Sequence, residues 1–301
     1  MRLIHTGQVI LDLVMRVPAL PTSGHDVLAT TTDLLPGGGL NVMAAAARSG
    51  ADVLYAGTHG TGPFGDRVRA ALHAEGIAIA HPPGDESATG TCVALIEENG
   101  ERTFITGTGA EGRLSLDDLN TIQVTEADLI YVTGYTLLNP ANETTLQTWL
   151  ATLPGKVLLD PGPLAADLPL DDFLKHVDIL SCNISEAQAL TNQPTLGTAA
   201  TALLERLPAH ATVIVRTGPS GCTIAHEDQI THITGHPVTP IDTNGAGDTH
   251  CGVLAAELLR GIDLETAARR ANAAAALSVL HRGPTTAPTR QEITAFLAST
   301  S

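Results

Sequence analysis

Short apolar runs rich in β-branched residues alternate along the chain with longer Ala- and Leu-rich stretches at helical spacing. This is the rhythm of parallel strands joined by covering helices. The runs predict strands over residues 2–11, 52–56, 128–133, 156–160, 177–181 and 212–216, and their apolar centres suit a sheet covered on both faces. Helices are predicted over 41–48, 65–75, 143–152, 198–206, 246–260, 264–280 and 290–298. Two segments, 25–35 and 90–106, have strand character but do not run into a helix. In the second, the turn Glu97-Glu98-Asn99-Gly100-Glu101 separates two apolar runs, and Asn-Gly favours a hairpin because both residues accept positive φ. These segments predict a small β-sheet beside the main layer. Such a sheet serves as a lid over a site, or offers edges for dimerisation, or both.

Composition narrows the setting. Hydrophobic residues at 43% and charged residues at 16% belong to a globular chain that buries a core. With 32 acidic against 16 basic side chains the formal charge is −16, which repels nucleic-acid backbones and anionic bilayers, so neither is an expected partner. Cys92, Cys182, Cys222 and Cys251 form no CxxC pair and read as small buried hydrophobes in a reducing compartment. The N-terminal residues Met1 to Gly7 lead directly into a strand pattern without the h-region of a signal peptide. No apolar stretch is long enough to span a bilayer, and the expected location is the cytoplasm.

The chemistry begins with glycines. Gly60-Thr61-Gly62-Pro63-Phe64-Gly65 and Gly107-Thr108-Gly109-Ala110-Glu111-Gly112 both match GxGxxG. The first contains a proline and neither follows the opening strand, where a dinucleotide fingerprint sits. A P-loop is excluded, because neither lysine, Lys156 or Lys175, lies in GxxxxGK[ST]. The strongest local signal is Asp242-Thr243-Asn244-Gly245-Ala246-Gly247-Asp248-Thr249, at the start of a predicted helix. Small residues there let backbone N–H groups and the helix dipole converge on an anion without any lysine. Asp248 in that turn is placed to take a proton from an attacking hydroxyl, although the same residue also suits a plain helix cap.

Residues 242–249 resemble the C-terminal signature of the ribokinase-like (PfkB) carbohydrate kinases. Pro36-Gly37-Gly38-Gly39-Leu40-Asn41, with Ala44 to Ala47, Gly50-Ala51-Asp52 and Gly60 to Asp66, resembles the N-terminal signature of the same family. Asn183-Ile184-Ser185-Glu186 resembles its NxxE motif, and Arg216-Thr217-Gly218-Pro219-Ser220-Gly221 its strand-to-glycine turn along the nucleotide groove. The likeness spans nearly the whole chain. It implies an α/β, Rossmann-like three-layer αβα ribokinase-like fold, a single domain over 1–301 with lid strands inserted at about 12–35 and 88–108. It also implies ATP, Mg²⁺ and a sugar or nucleoside as ligands; the β-edges of the lid strands themselves give the expectation of a homodimer formed through the lid.

The resemblance assigns roles residue by residue. Asp248 is the catalytic base, and Gly245, Ala246 and Gly247 form the anion hole. Asp12, Gly38, Gly39 and Asn41 meet substrate hydroxyls. Asn183, Glu186, Thr217, Gly218, Gly221 and Asn272 border the nucleotide, with Glu186 holding Mg²⁺ through water. Asp242 and Gly283 mark a site for K⁺. Read alone, Asp12 is also a lid-edge surface charge and Asn272 a surface helical residue.

The chain departs from the family pattern in a glycine step one residue shorter than in many members, in Asn244, and in His250 where phenylalanine is common. With Arg102-Thr103-Phe104 and His281-Arg282-Gly283-Pro284, the set resembles uncharacterised sugar-kinase members more than ribokinase itself. His232 and His236 fall in a strand-like segment, where their spacing does not form a metal pair. Tyr135, after a predicted strand end, suits either a cleft wall or the core. Three functions remain open: a sugar kinase, a nucleoside kinase and a noncatalytic ligand-binding relative. An aromatic content of 3% leaves few surfaces on which to stack a base, whereas the intact Asp248 with its glycines favours catalysis.

Overall fold

A computed structural model describes residues 1–84, 87–168 and 170–300. Among them the strands form two sheets. The chain opens with β1 (Arg2–His5), β2 (Val9–Arg16), β3 (Thr31–Gly38), α1 (Leu40–Arg48), β4 (Asp52–Tyr55), α2 (Gly62–Ala74) and β5 (Ala78–Ile79). Next come β6 (Thr91–Ile96), β7 (Arg102–Gly107), α3 (Leu116–Asn120), β8 (Leu129–Thr133), α4 (Gly134–Leu137), α5 (Pro140–Leu150) and β9 (Lys156–Asp160). The last part comprises β10 (Ile179–Asn183), α6 (Ile184–Thr191), α7 (Leu196–Leu204), β11 (Thr212–Arg216), β12 (Gly221–His226), β13 (Gln229–Thr234), α8 (Ala246–Leu259), α9 (Leu264–Ser278) and α10 (Arg290–Ser299).

The large sheet has the order β13-β12-β11-β10-β9-β8-β1-β4-β5. It is parallel from β11 to β5, and β12 and β13 add an antiparallel edge. Its strands read as unbroken apolar runs because both faces are buried. Leu3, Leu129, Leu158 and Ile214 pack on one side with α1, α8 and α9, while their neighbours Ile4, Ile130, Leu159 and Val213 pack on the other with Leu146 and Trp149 of α5 and Leu203 of α7. Period-two alternation thus feeds two apolar layers instead of one apolar and one wet face. The result is the three-layer αβα arrangement expected from the sequence.

α8 is buried along most of its length, from Thr249 to Glu257, and it lies almost backbone to backbone against α1. A Cβ placed on Gly252 would stand 2.3 Å from the carbonyl oxygen of Val42, so only glycine permits this approach. That contact sets the first turn of α8 beside Asn41 at the start of α1.

The small sheet has the order β3-β2-β6-β7, with β2 and β6 parallel and the outer pairs antiparallel. Its root is tied by Glu111, a buried carboxylate that accepts the amides of Gly90 (2.8 Å) and Gly109 (2.7 Å). The second GxGxxG match is therefore part of a structural clamp.

Several expected boundaries move. The run at 2–11 is two strands in different sheets: the chain leaves the large sheet after His5 and turns at Gly7, whose amide donates to His5 Nδ1 at 3.0 Å. The polar stretch His5-Thr6-Gly7-Gln8 between Leu3-Ile4 and Val9-Ile10-Leu11 marks this turn in the sequence, and the predicted strand ran across it. Strand structure in the 25–35 segment starts only at Thr31 and continues to Gly38. α2 and α5 begin earlier than predicted, each with proline in its first turn, where the missing N–H costs nothing. α6 and β12 were not anticipated, whereas β13 falls in the strand-like segment that holds His232. α6 is only 8 residues long, too short for a periodicity to emerge. Among the described residues no helix is long and apolar enough to cross a membrane.

Candidate active site

The polar residues of interest gather at the carboxyl ends of the parallel strands, where an open α/β sheet leaves its crevice. Asp160 ends β9, Asn183 ends β10 and Arg216 ends β11. α8 arrives above them from a loop whose last residue, Gly245, has φ of 74°. Asp248, in the first turn of α8, is partly exposed and accepts a hydrogen bond from Asn41 Nδ2 at 2.9 Å. Asn41 is itself held from behind, its carbonyl oxygen accepting from Thr285 Oγ1 at 2.9 Å. Both ends of this amide are engaged, which locks its orientation toward Asp248.

The electrostatics suit a base. Burial pushes the Asp248 carboxyl up to about 6; the charge of Asp160 adds to this, while the Asn41 hydrogen bond and Arg216 oppose it. Asp12, on β2, is likewise pushed up to about 6, by burial first and then by the charge of Asp248. Asp12 of the small sheet and Asp248 of α8 thus lie near enough for the charge of one to be felt by the other. The approach is tight on the small-sheet side. A Cβ on Gly37 would come within 2.1 Å of Asp12 Oδ2, so the first glycine of the triplet, not one of the expected contact residues, makes room for this side chain. Gly38 (φ 64°) closes β3, and Gly39 begins α1 with its amide on the carbonyl of Gln8 at 2.7 Å. Gly37→Ala is expected to raise the KM for the acceptor about tenfold and leave that for ATP unchanged. Steady-state kinetics with each substrate varied in turn checks this.

On the opposite side Arg216 organises the strand ends. Its Nη1 donates to Asp160 Oδ2 (2.8 Å), Ser181 Oγ (3.1 Å) and Cys251 Sγ (2.8 Å), and its Nη2 reaches Glu186 Oε2 at 3.5 Å. A Cβ on Gly247 would lie 3.6 Å from the guanidinium carbon, so this cation borders the first turn of α8. The NxxE motif is a reciprocal capping box at the start of α6. Asn183 Oδ1 accepts from the Glu186 amide (2.9 Å), and the Glu186 carboxylate accepts from the amide (2.7 Å) and side chain (2.7 Å) of Asn183. Burial, then Asp160, raises the Glu186 carboxyl, with Arg216 opposing. Thr217, Gly218 and Gly221 form the turn between β11 and β12, closed by Thr217 Oγ1 on the Gly221 carbonyl at 3.0 Å.

Asp242 and Gly283 also meet. The Gly283 amide donates to Asp242 Oδ2 at 3.2 Å and the Asn244 amide to Oδ1 at 2.9 Å. Oδ1 is in addition paired with the guanidinium of Arg102, from β7 of the small sheet. Asn272 is buried, with its amide donating to the carbonyls of Ile233 (3.0 Å) and Thr234 (3.3 Å) and its oxygen facing His250 Nε2 at 3.2 Å. His250, pushed down to about 3 by burial, thus joins α8 to α9. Tyr135 is 45% exposed, and its hydroxyl is raised by burial and by the charge of Asp248, which puts it at the cleft mouth. His232 faces Thr223 Oγ1 at 3.4 Å, and His236 makes an edge contact with Phe296.

Asp160 and Arg102 were absent from the expected site, and Arg216 entered it only as the first residue of the nucleotide-groove turn, with no role of its own. A polar residue closing an apolar run, as Asp160 and Arg216 do, is the sequence signal that singles out two of them.

The model of the pfkB family carbohydrate kinases matches residues 2–291. The chain belongs to this family of carbohydrate kinases. It is 32% identical over 295 residues to the uncharacterised sugar kinase YegV of Escherichia coli (strain K12), covering 95% of this chain and 91% of that protein. Among solved structures, ribokinase from Thermotoga maritima superposes with a TM-score of 0.86 at 24% identity over 99% of both chains. Arabidopsis thaliana ribokinase, solved with ribose and ATP, gives 0.81 at 24% identity over 98% of both. These two likenesses are of fold. In this carbohydrate kinase the polar ends of β9, β10 and β11, the first turn of α8 and Asp12 of the small sheet form one candidate site.

Proposed function

We propose that the protein transfers the γ-phosphoryl group of ATP to a hydroxyl of a small sugar, with Asp248 as the base. The observation that carries this reading is the pairing of Asp248 with Asn41 at the first turn of α8, directly behind the backbone amides of Gly245 to Gly247 and near Asp12. Asp12 binds and orients acceptor hydroxyls, because a carboxylate engages vicinal hydroxyls and a mispaired one in a closed site is costly. Asn41 holds Asp248 Oδ2, leaving the other oxygen to accept the hydroxyl proton as the oxygen attacks. The amides at the start of α8 meet the charge developing on the transferred group. Asn183, Thr217, Gly218 and Gly221 border the nucleotide, and Asn272 supports that wall through β13.

The donor set fits a hydrated divalent ion. Asp160 and Glu186 are hard oxygen ligands at the strand ends, but most of their oxygens already accept hydrogen bonds. Mg²⁺ suits such a site because it retains waters and shares its coordination with phosphates, and when bound it would neutralise the phosphate charge. The small sheet acts as the lid that excludes water.

The chain is further proposed to be a cytoplasmic homodimer joined through that sheet. Leu34, Leu13, Val93 and Ile105 lie in one row across it, on the face away from Asp12, with Ile105 63% exposed. Light scattering is expected to give twice the chain mass, and Ile105→Lys the mass of a single chain.

The test of function is ADP release from Mg·ATP with pentoses, hexoses, sugar phosphates and nucleosides, using Asp248→Asn as control. A signal that depends on a sugar and vanishes in the control supports the reading. Release with a nucleoside alone, or equal release by the control, sinks it.

A further inference from the structure

We infer that Arg102 is a positioning residue for the phosphoryl transfer, acting through Asp242 as a latch between the small sheet and the loop that enters α8. The inference rests on the kinase reading above and concerns a side chain on the other side of the cleft from the base.

Arg102 opens β7, in register with Ile96 of β6 and Arg16 of β2. The row holding Asp12, Cys92 and Thr106 lies four residues along the same strands, so Arg102 and Asp12 share the face turned to the site. Its guanidinium crosses to Oδ1 of Asp242, 140 residues away in sequence. Both groups are sheltered, the side chains being 25% and 8% exposed, so the pair is screened less than a surface bridge.

The same carboxylate already holds two loops together. Oδ1 accepts the Asn244 amide and Oδ2 the Gly283 amide, and the residue after Gly283, Pro284, lies with its carbonyl 2.3 Å from where a Cβ on Gly245 would stand. The orientation of the 243–247 amides thus depends on Asp242. The guanidinium of Arg102 adds a charged partner to these two amides, brought from the sheet that covers the acceptor. Seating of the small sheet and shaping of the anion hole become one event. Because the guanidinium supplies the charge permanently, turnover of the native protein has no need of a monovalent cation at Asp242. Removing the guanidinium creates that need.

The experiment compares the native protein with Arg102→Lys and Arg102→Met, with sodium or potassium as the only monovalent cation. It reads steady-state kinetics and amide hydrogen exchange of peptides spanning 241–247. Expected for Arg102→Met is a fall in kcat of about tenfold or more with the KM for ATP within about twofold, as for a group acting only when the loop is set. Exchange in 241–247 is expected to rise, Arg102→Lys to fall between the two, and potassium to restore part of the lost kcat in Arg102→Met while leaving the native protein unchanged. An unchanged kcat, unchanged exchange, or a loss confined to the KM for ATP would overturn the latch. If the native protein phosphorylates nothing in the panel, the kinase reading fails, and the exchange measurement alone still decides whether Arg102 sets the loop.

Discussion

Asp248→Asn is expected to lower turnover by about 10²- to 10⁴-fold, the contribution of a positioned general base, and at the same time to make the folded protein more stable at neutral pH. The two effects have one cause. The Asp248 carboxyl is raised to about 6, chiefly by burial and by the neighbouring charge of Asp160. A group whose folded pKa exceeds its unfolded one binds more protons when folded, so stability declines as pH rises from the unfolded value to the folded one and stays lower above it. The amide has no charge to desolvate, and after rotation its oxygen still accepts from Asn41. A higher Tm at pH 7 together with lost turnover therefore separates removal of the base from damage to the fold; a lower Tm would contradict the electrostatic account. The same shift predicts that kcat/KM for the acceptor in the native protein falls as pH drops through about 6, where Asp248 becomes protonated.

Arg216→Met should be the most destabilising substitution at the strand ends, by about 3–5 kcal/mol, because it leaves buried charge without a partner. Arg216 is 12% exposed and reaches Asp160 and Glu186, at 9% and 8%. Methionine fills much of the volume, so the loss reports charge more than packing. Urea unfolding of Arg216→Met, Asp160→Asn and the double variant measures it, and the double variant should be more stable than Arg216→Met alone, since the neutral amide removes one of the stranded charges. Additive losses would mean that the pair is not coupled and that Arg216 acts through packing alone.

The outline of the fold was legible because parallel strands buried on both faces and Ala-rich covering helices leave strong local patterns. The candidate site was legible where its residues are contiguous: 242–249, with their run of small residues before an acid, carry the geometry of a helix start in the sequence itself. Asn183 and Glu186 were found through a motif, and the structure gives that motif a local reason in the capping box of α6. The turn at Gly7 was passed over although His5-Thr6-Gly7-Gln8 interrupts the apolar run, and that the second half joins a different sheet depends on pairing with β3 and β6, which the run itself does not encode. Gly37 was passed over for its neighbours, because which glycine of a triplet faces a carboxylate depends on strand register.

Sequence alone determined the layered α/β architecture, the small second sheet, the absence of a P-loop and the candidacy of Asp248, since each depends on residues within a turn or two of one another. Only the tertiary structure decided that Asn41 orients Asp248, that Arg216 binds Asp160 across 56 residues, and that Asp242 is met by Arg102 from the small sheet. Charge pairs of this kind are chosen by distance in space, and sequence separation carries no trace of it until the strands are in register and α8 is packed on α1.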